Sequence, residues 1–497
     1  MGILAWCAGF VAALLIPGMC VAQDVTLTAR EGGLRLEGTL QSFDGEFYRI
    51  ASAYGLLTID GQGVICTGPG CPDLTAPKAV INVTGAPDAG TALIPPLFRS
   101  FAAARGFIYQ PVFGVAGYAA ILADPETGKT LAEISFSPAT PDAAMAAMTG
   151  GQADLIVGAF AGEGVGKQAL AMDALVTIMA VDNPTPAIAT RDLVGVLAGD
   201  ITNWQDVGGP DMPIALHALE ADLDLQRALE ARLGREVKGM IRHADLASLA
   251  VAVATDPYAV AITGRATQGA AKGLPLKDSC GYSLQPTPLA VKADDYPLSL
   301  PIYLLTPPRR LPLLTREFLA FLATPAAQAT IAAAGYVDRG VARVGMADAG
   351  RLDTAIKGAG EETTIADLKA IAQAMTGVER LSLTFRFDDT GGLDANSQQN
   401  LTDLAQLLLA GQYAGETLVL AGFSDGQGGA AENLTLSAER AEAVLGALRE
   451  AAPDLSDGAL PVVQGYGEVL PMACDETALG RQINRRVELW VRATGGL

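Results

Sequence analysis

The feature that most constrains this chain is the stretch from Gly422 to Leu448. Glu416 to Ala421 (ETLVLA) reads as a strand, and Gly422-Phe-Ser-Asp-Gly-Gln-Gly-Gly429 follows it as a glycine-rich loop. Beyond the loop, apolar residues at 441, 444, 445 and 448 recur at helical spacing. A strand therefore ends in a loop that feeds a helix. Asp425 lies in the loop, and Arg440 is placed near the start of the helix. One carboxylate and one guanidinium at the same mouth suit a zwitterion: an ammonium on Asp425 and a carboxylate on Arg440, joined by charge-assisted hydrogen bonds.

A second block follows, with Gly465-Tyr-Gly-Glu468 and then Gly480-Arg-Gln-Ile-Asn-Arg-Arg-Val-Glu488. Together with the Ser424-Asp425 loop and Asn433-Leu-Thr-Leu-Ser-Ala-Glu-Arg-Ala441, these blocks resemble the OmpA-like peptidoglycan-binding domain. The resemblance implies an α+β domain over residues 381–493 whose ligand is the diaminopimelate of peptidoglycan stem peptides. Carried over by motif position, the site comprises Asp425 for the ammonium and Arg440 for the carboxylate, with Ser424 and Asn433 beside them. The sequence departs from the pattern at two places. Phe423-Ser424 replaces His-Thr, and Asp475 stands where Asn is usual. Arg485, just before the closing strand Val487 to Val491, reads as structural. Leu381 to Phe387 alternates as a strand and Ser397 to Leu409 is an amphipathic helix, so helices are expected on one face of a mixed sheet.

The length of 497 residues argues for about three domains. A formal charge of −20 repels nucleic acid and anionic membrane surfaces. Residues 1–22 read as a secretory signal: Ile3 to Ile16 is apolar but short for a bilayer span, Pro17-Gly18 breaks it, and cleavage after Ala22 is expected. No later run is long enough for a transmembrane segment, which implies a periplasmic mature chain on the peptidoglycan and outer-membrane side of the envelope. Four cysteines follow the leader. Cys66 and Cys71 flank a Pro-Gly turn and are expected to form a disulfide, while Cys280 and Cys474 either pair across an interface or stay free. Residues 23–76 alternate in short runs separated by Glu31-Gly-Gly, Asp44-Gly and Asp60-Gly, the pattern of a small β meander or barrel. Nothing in it is chemical, and it reads as an adapter for a protein partner.

Residues 79–340 alternate strands with helices, an α/β arrangement. Ala79 to Val83 is a strand, Gly85 to Gly90 a loop and Leu93 to Ala104 a helix. The segment Gly199-Asp-Ile-Thr-Asn-Trp204 with Gly208-Gly209, followed by Tyr296-Pro-Leu, Phe318-Leu-Ala-Phe321 and Gly335-Tyr-Val337, resembles the periplasmic substrate-binding protein of the phosphate ABC importer. That implies a type II periplasmic-binding-protein-like fold. Such proteins hold phosphate with hydroxyls and helix N-termini plus an arginine. Here the first loop carries Asp88 and the later one Glu220, Asp222 and Asp224, all repelling a dianion. Thr84, Ser135, Ser137 and Thr140 remain as candidate hydroxyl ligands for a small anionic solute. His217 and Glu220 have helical metal-ligand spacing but lack a third ligand, and a surface role is favoured.

Residues 341–380, rich in Ala, Gly and Asp from Met346 to Gly360, read as a linker with a short helix from Thr364 to Met375. No nucleophile elbow, metal cluster or carboxylate pair points to an enzyme, and no cofactor is expected. The reading is a non-enzymatic periplasmic protein that docks on peptidoglycan and carries a solute-binding-like domain of altered specificity. The alternatives are the binding component of a phosphate or other oxyanion ABC transporter and, more weakly, a hydrolase.

Overall fold

The structure, a computed structural model, describes residues 25–30, 32–72, 78–113, 117–160, 162–238, 241–346, 351–357, 363–387 and 391–493. The expected leader, residues 1–22, lies outside them.

Alternation in the first segment produces a five-stranded antiparallel sheet in the order Gly55–Asp60, Phe47–Ser52, Arg35–Phe43, Val25–Ala29, Val64–Thr67. Its inward residues, among them Val25, Leu27, Tyr48 and Ile50, form a small core. Cys66 and Cys71 are bonded at its end, with Cα atoms 5.9 Å apart. The sheet is fastened to the middle of the chain. Arg49 reaches Asp154 and the Gly151 carbonyl, and Arg309 donates to the same Asp154 at 2.6 Å. Asp154 is fully buried, so the two guanidiniums offset the desolvation of its carboxylate. Asp44 also accepts from the Leu313 N–H at 2.9 Å. The segment read as an adapter for a protein partner thus makes part of its contacts with the middle of its own chain.

The middle segment forms two lobes on one continuous sheet path. The long strand Gly166–Met179 joins them: its first part pairs with Ser299–Thr306 and its second with Ala259–Gly264, both antiparallel. The expected loop 85–90 is mostly helix. Pro87 presets the first helical φ, and the helix Pro87–Arg105 starts six residues before the apolar spacing suggests. Asp88 therefore sits in a helical first turn. Gly85, with φ +128°, makes the sharp exit from the strand Ala79–Gly85, where a Cβ would meet the Val157 carbonyl.

The C-terminal sheet runs Arg343–Gly345, Glu379–Arg386, Arg486–Ala493, Glu416–Gly422, Val462–Gly465. Two expectations are corrected here. The region 341–380 is not simply a linker: its strand Arg343–Gly345 extends the sheet, and helices Arg351–Lys357 and Ile365–Met375 pack on it. Helices also cover both faces rather than one. Leu418, Leu420, Val487 and Leu489 meet the helices Ala395–Leu409 and Ala430–Ala451, while Ala421 and Trp490 point the other way, onto Ile371 and Met375. Strand alternation places successive residues in two separate cores. The short helix itself lies where expected, with Thr364 and Asp367 forming a capping box.

The middle and C-terminal parts meet through a buried charge network. Asp295 accepts from Arg380 at 2.6 Å and from Arg386 at 2.8 Å. Glu488 accepts from Arg351 at 2.6 Å, Arg486 at 2.7 Å and the Trp490 indole at 2.8 Å. Cys280 and Cys474, left open by the sequence, are bonded across this junction, and Asp278 accepts from the Cys474 N–H at 2.7 Å.

Candidate functional sites

The first site is the mouth formed by the strand Glu416–Gly422 and the helix Ala430–Ala451. Gly422 permits the close approach, since a Cβ there would overlap the Ser437 carbonyl of the helix. The helix begins ten residues before Arg440, so Arg440 lies three turns in rather than at the N-terminus. It still reaches back to the loop and donates to the Phe423 carbonyl at 3.3 Å. Burial lowers the pKa of its guanidinium, and the Asp425 charge opposes that shift. Arg440 and Arg485 line one open cavity of about 440 Å³ together with Phe387, Leu436 and Glu439.

Asp425 is only 9 % exposed. Its Oδ2 accepts from Arg485 at 2.9 Å and its Oδ1 from the Gln427 N–H at 3.2 Å. A carboxylate has about four acceptor positions, so capacity remains for a further donor. Arg485 is the residue the sequence reading missed as part of the mouth: its partner lies sixty positions away, and only the doubled Arg485-Arg486 hinted at it. Asp475 accepts from the Gly426 N–H at 2.8 Å and from Asn484 at 2.8 Å, so the departure from Asn still braces the loop. Asn433 is corrected. It is 1 % exposed and donates to Glu468 at 2.6 Å, which ties the helix to the Gly-Tyr-Gly-Glu turn and leaves its amide out of the mouth. Ser424 is also buried, and its hydroxyl has no partner among the described residues.

The second site is the cleft between the lobes of the middle segment. Asp88, Asp173, Asp224 and Asp245 line it, with an apolar wall including Leu223, Leu300, Ile302 and Tyr336. Burial pushes the Asp173 and Asp224 carboxyls up to about 6 and raises Asp88, which also feels the charge of Asp245. Asp245 caps its helix by accepting from the Ser248 N–H at 2.7 Å, which lowers its own pKa. None of the four hydroxyl candidates lines this cleft. Thr84 donates to the Ser137 carbonyl at 2.8 Å and Ser135 to Asn82 at 2.9 Å, both committed to the sheet, while Thr140 precedes the helix Pro141–Thr149. His217, expected at the surface, is 5 % exposed and faces His243 across 3.0 Å. Among the described residues no three metal-ligating side chains converge, and no helix is long and apolar enough to cross a membrane.

Comparison with known proteins places residues 116–326 on the model of a PBP superfamily domain and residues 384–485 on that of the OmpA family. Outer membrane porin F of Pseudomonas fluorescens is 36 % identical over 120 residues, covering 23 % of this chain and 34 % of that protein. Its namesake in Pseudomonas aeruginosa is 37 % identical over 121 residues, covering 24 % of this chain and 33 % of that protein. The chain thus spans about a third of the length of these curated relatives. Among solved structures, an ABC-type phosphate transport receptor from Vibrio cholerae is similar over 52 % of this chain and 99 % of that one, at 21 % identity and TM-score 0.41. A putative phosphate ABC transporter substrate-binding protein from Clostridium perfringens, solved with bound phosphate, covers the same shares at 16 % identity and TM-score 0.41. The chain carries a PBP-like domain followed by a C-terminal OmpA domain.

Proposed function

We propose that this chain, with its PBP-like domain and its C-terminal OmpA domain, is a non-enzymatic periplasmic protein. In this reading it holds the diaminopimelate end of peptidoglycan stem peptides at the mouth around Arg440 and presents a solute-binding-like domain of altered specificity. The observation that carries it is the cavity of about 440 Å³ lined by Arg440 and Arg485, with Asp425 ion-paired to Arg485 at 2.9 Å. A stem-peptide carboxylate meets the Arg440 fork, and the neighbouring ammonium takes the remaining acceptor capacity of Asp425. Both matched families are binding or structural rather than enzymatic, which supports the non-enzymatic part. The domain limits that go with this reading are 23–76, 79–340 and a C-terminal unit beginning near 341 rather than 381.

The alternative, capture of phosphate or another oxyanion for import, fits the cleft poorly. Four carboxylates line it and no lysine or arginine does. The test of the principal reading is competition. Free diaminopimelic acid should release the protein from purified peptidoglycan sacculi in a saturable way, whereas lysine, which lacks the second amino-carboxylate centre, should release it far less well. Equal release by both would refute recognition of that centre.

A further inference from the structure

We propose that the cleft between the lobes of the middle domain binds a small organic cation through a primary ammonium group. This rests on the reading of that domain as a solute-binding module and gives its ligand a chemical class.

Bare helix N-termini attract anions. Here the chain places its own carboxylates at those positions. Asp88 is in the first turn of Pro87–Arg105, Asp224 in that of Asp224–Leu233, and Asp245 caps Leu246–Thr255. With Asp173 they give the lining four carboxylates, and no lysine, arginine or histidine lines the cleft. The nearest cations look elsewhere. Arg227 is paired with Asp142 at 2.7 Å, and Arg265 donates to the Pro286 and Gly335 carbonyls.

A second, independent observation concerns Asp224, which is 7 % exposed. Its Oδ2 accepts from the Ala159 N–H at 2.6 Å, but its Oδ1 is buried with no hydrogen-bond partner among the described residues. A buried carboxylate oxygen without a donor is unfavourable, and a donor supplied by a ligand removes that deficit. The cavity is small, about 50 Å³. Room for one water takes about 10–15 Å³ by the same measure, so a compact ammonium head with a short alkyl stem fits and a bulky solute does not. Leu223, Leu300 and Ile302 supply the apolar wall for the stem. A metal ion is the poorer occupant, because no group of three or more ligating side chains converges among the described residues.

The experiment is isothermal titration of the full-length mature protein, at fixed ionic strength near pH 7.5, with ethanolamine, with putrescine and with inorganic phosphate. At least one amine should bind saturably and phosphate should not. Asp224→Asn should weaken amine binding about tenfold or more. Asp88→Asn, at a half-buried position that spares the core, should do the same. The proposal is overturned by saturable phosphate binding, by the absence of amine binding up to about ten millimolar, or by amine binding that neither substitution alters. Sacculus co-sedimentation of the same samples separates the two readings. Retained sedimentation with no amine binding removes the cleft assignment alone, and lost sedimentation with intact amine binding removes the peptidoglycan reading alone.

Discussion

At the residue scale, the molecule holds charges under two opposite regimes. Glu488 and Asp295 are buried among guanidiniums whose charges outweigh the desolvation and hold both carboxyls below the ordinary range, whereas Asp173 and Asp224 are buried with few compensating cations. Burial is the largest cause of the Asp224 shift; Asp88 adds to it, and the Ala159 N–H and the Arg227 charge oppose it. Its folded pKa of about 6 lies above the ordinary aspartate value of 3.8, so the native state binds the proton more tightly. The stability from that group is fully present below about pH 4 and is lost as pH rises through about 6. Asp224→Asn removes the ionisation. The variant should match the parent near pH 4 and exceed it at pH 8 by up to about 3 kcal/mol. Thermal unfolding across that range checks this, and an offset independent of pH would show that the charge is not the cause. Asp425 is paired instead with a partly exposed guanidinium, Arg485, which lines the same cavity as Arg440.

At the element scale, the second core under the C-terminal sheet sets the extent of that domain. Ile371 is 1 % exposed and packs with Met375, Met346 and Trp490. Ile371→Ala should cost about 2–5 kcal/mol through lost burial and a residual cavity. In a free linker the same change would be silent, and the shift in the unfolding midpoint of the full chain distinguishes the two. This is also where the sequence was hardest to read. The strand Arg343–Gly345 has three residues, too few for alternation to register, and the Ala/Gly/Asp composition around it mimics a linker. The longer elements were legible, because the strand Glu416–Gly422 and the helix Ala430–Ala451 carry unmixed periodicities. Even so, the start of that helix was not, since its first turns are polar and exposed around Leu434 and Leu436. The Asp425–Arg440 neighbourhood came from motif spacing. The loss of Asn433 from the mouth could not be seen, because the orientation of its amide depends on Glu468, 35 positions away.

At the scale of the whole molecule, the three parts are joined by buried charge rather than strung on linkers. Asp154 binds the N-terminal sheet to the middle domain, Asp295 binds the middle domain to the OmpA domain, and the Cys280–Cys474 bond crosses the second junction. None of these contacts leaves a local trace in sequence, since each partner lies 85 to 194 positions from the other. Asp295→Ala strips Arg386 of its carboxylate partner and should destabilise the chain by about 3–5 kcal/mol. If the OmpA domain were only tethered, thermal unfolding would show no change. Such a junction makes the middle domain follow wherever the OmpA domain docks, so the account as a whole depends on that docking. Its most direct test is quantitative co-sedimentation of purified protein with peptidoglycan sacculi for the parent, Asp425→Ala and Arg440→Ala, with the fold verified by thermal unfolding. The account predicts that each substitution weakens binding about tenfold or more, and that the double variant loses less than the sum of the two, because both residues serve one ligand centre. Sedimentation of both folded variants at the parent's affinity would contradict it.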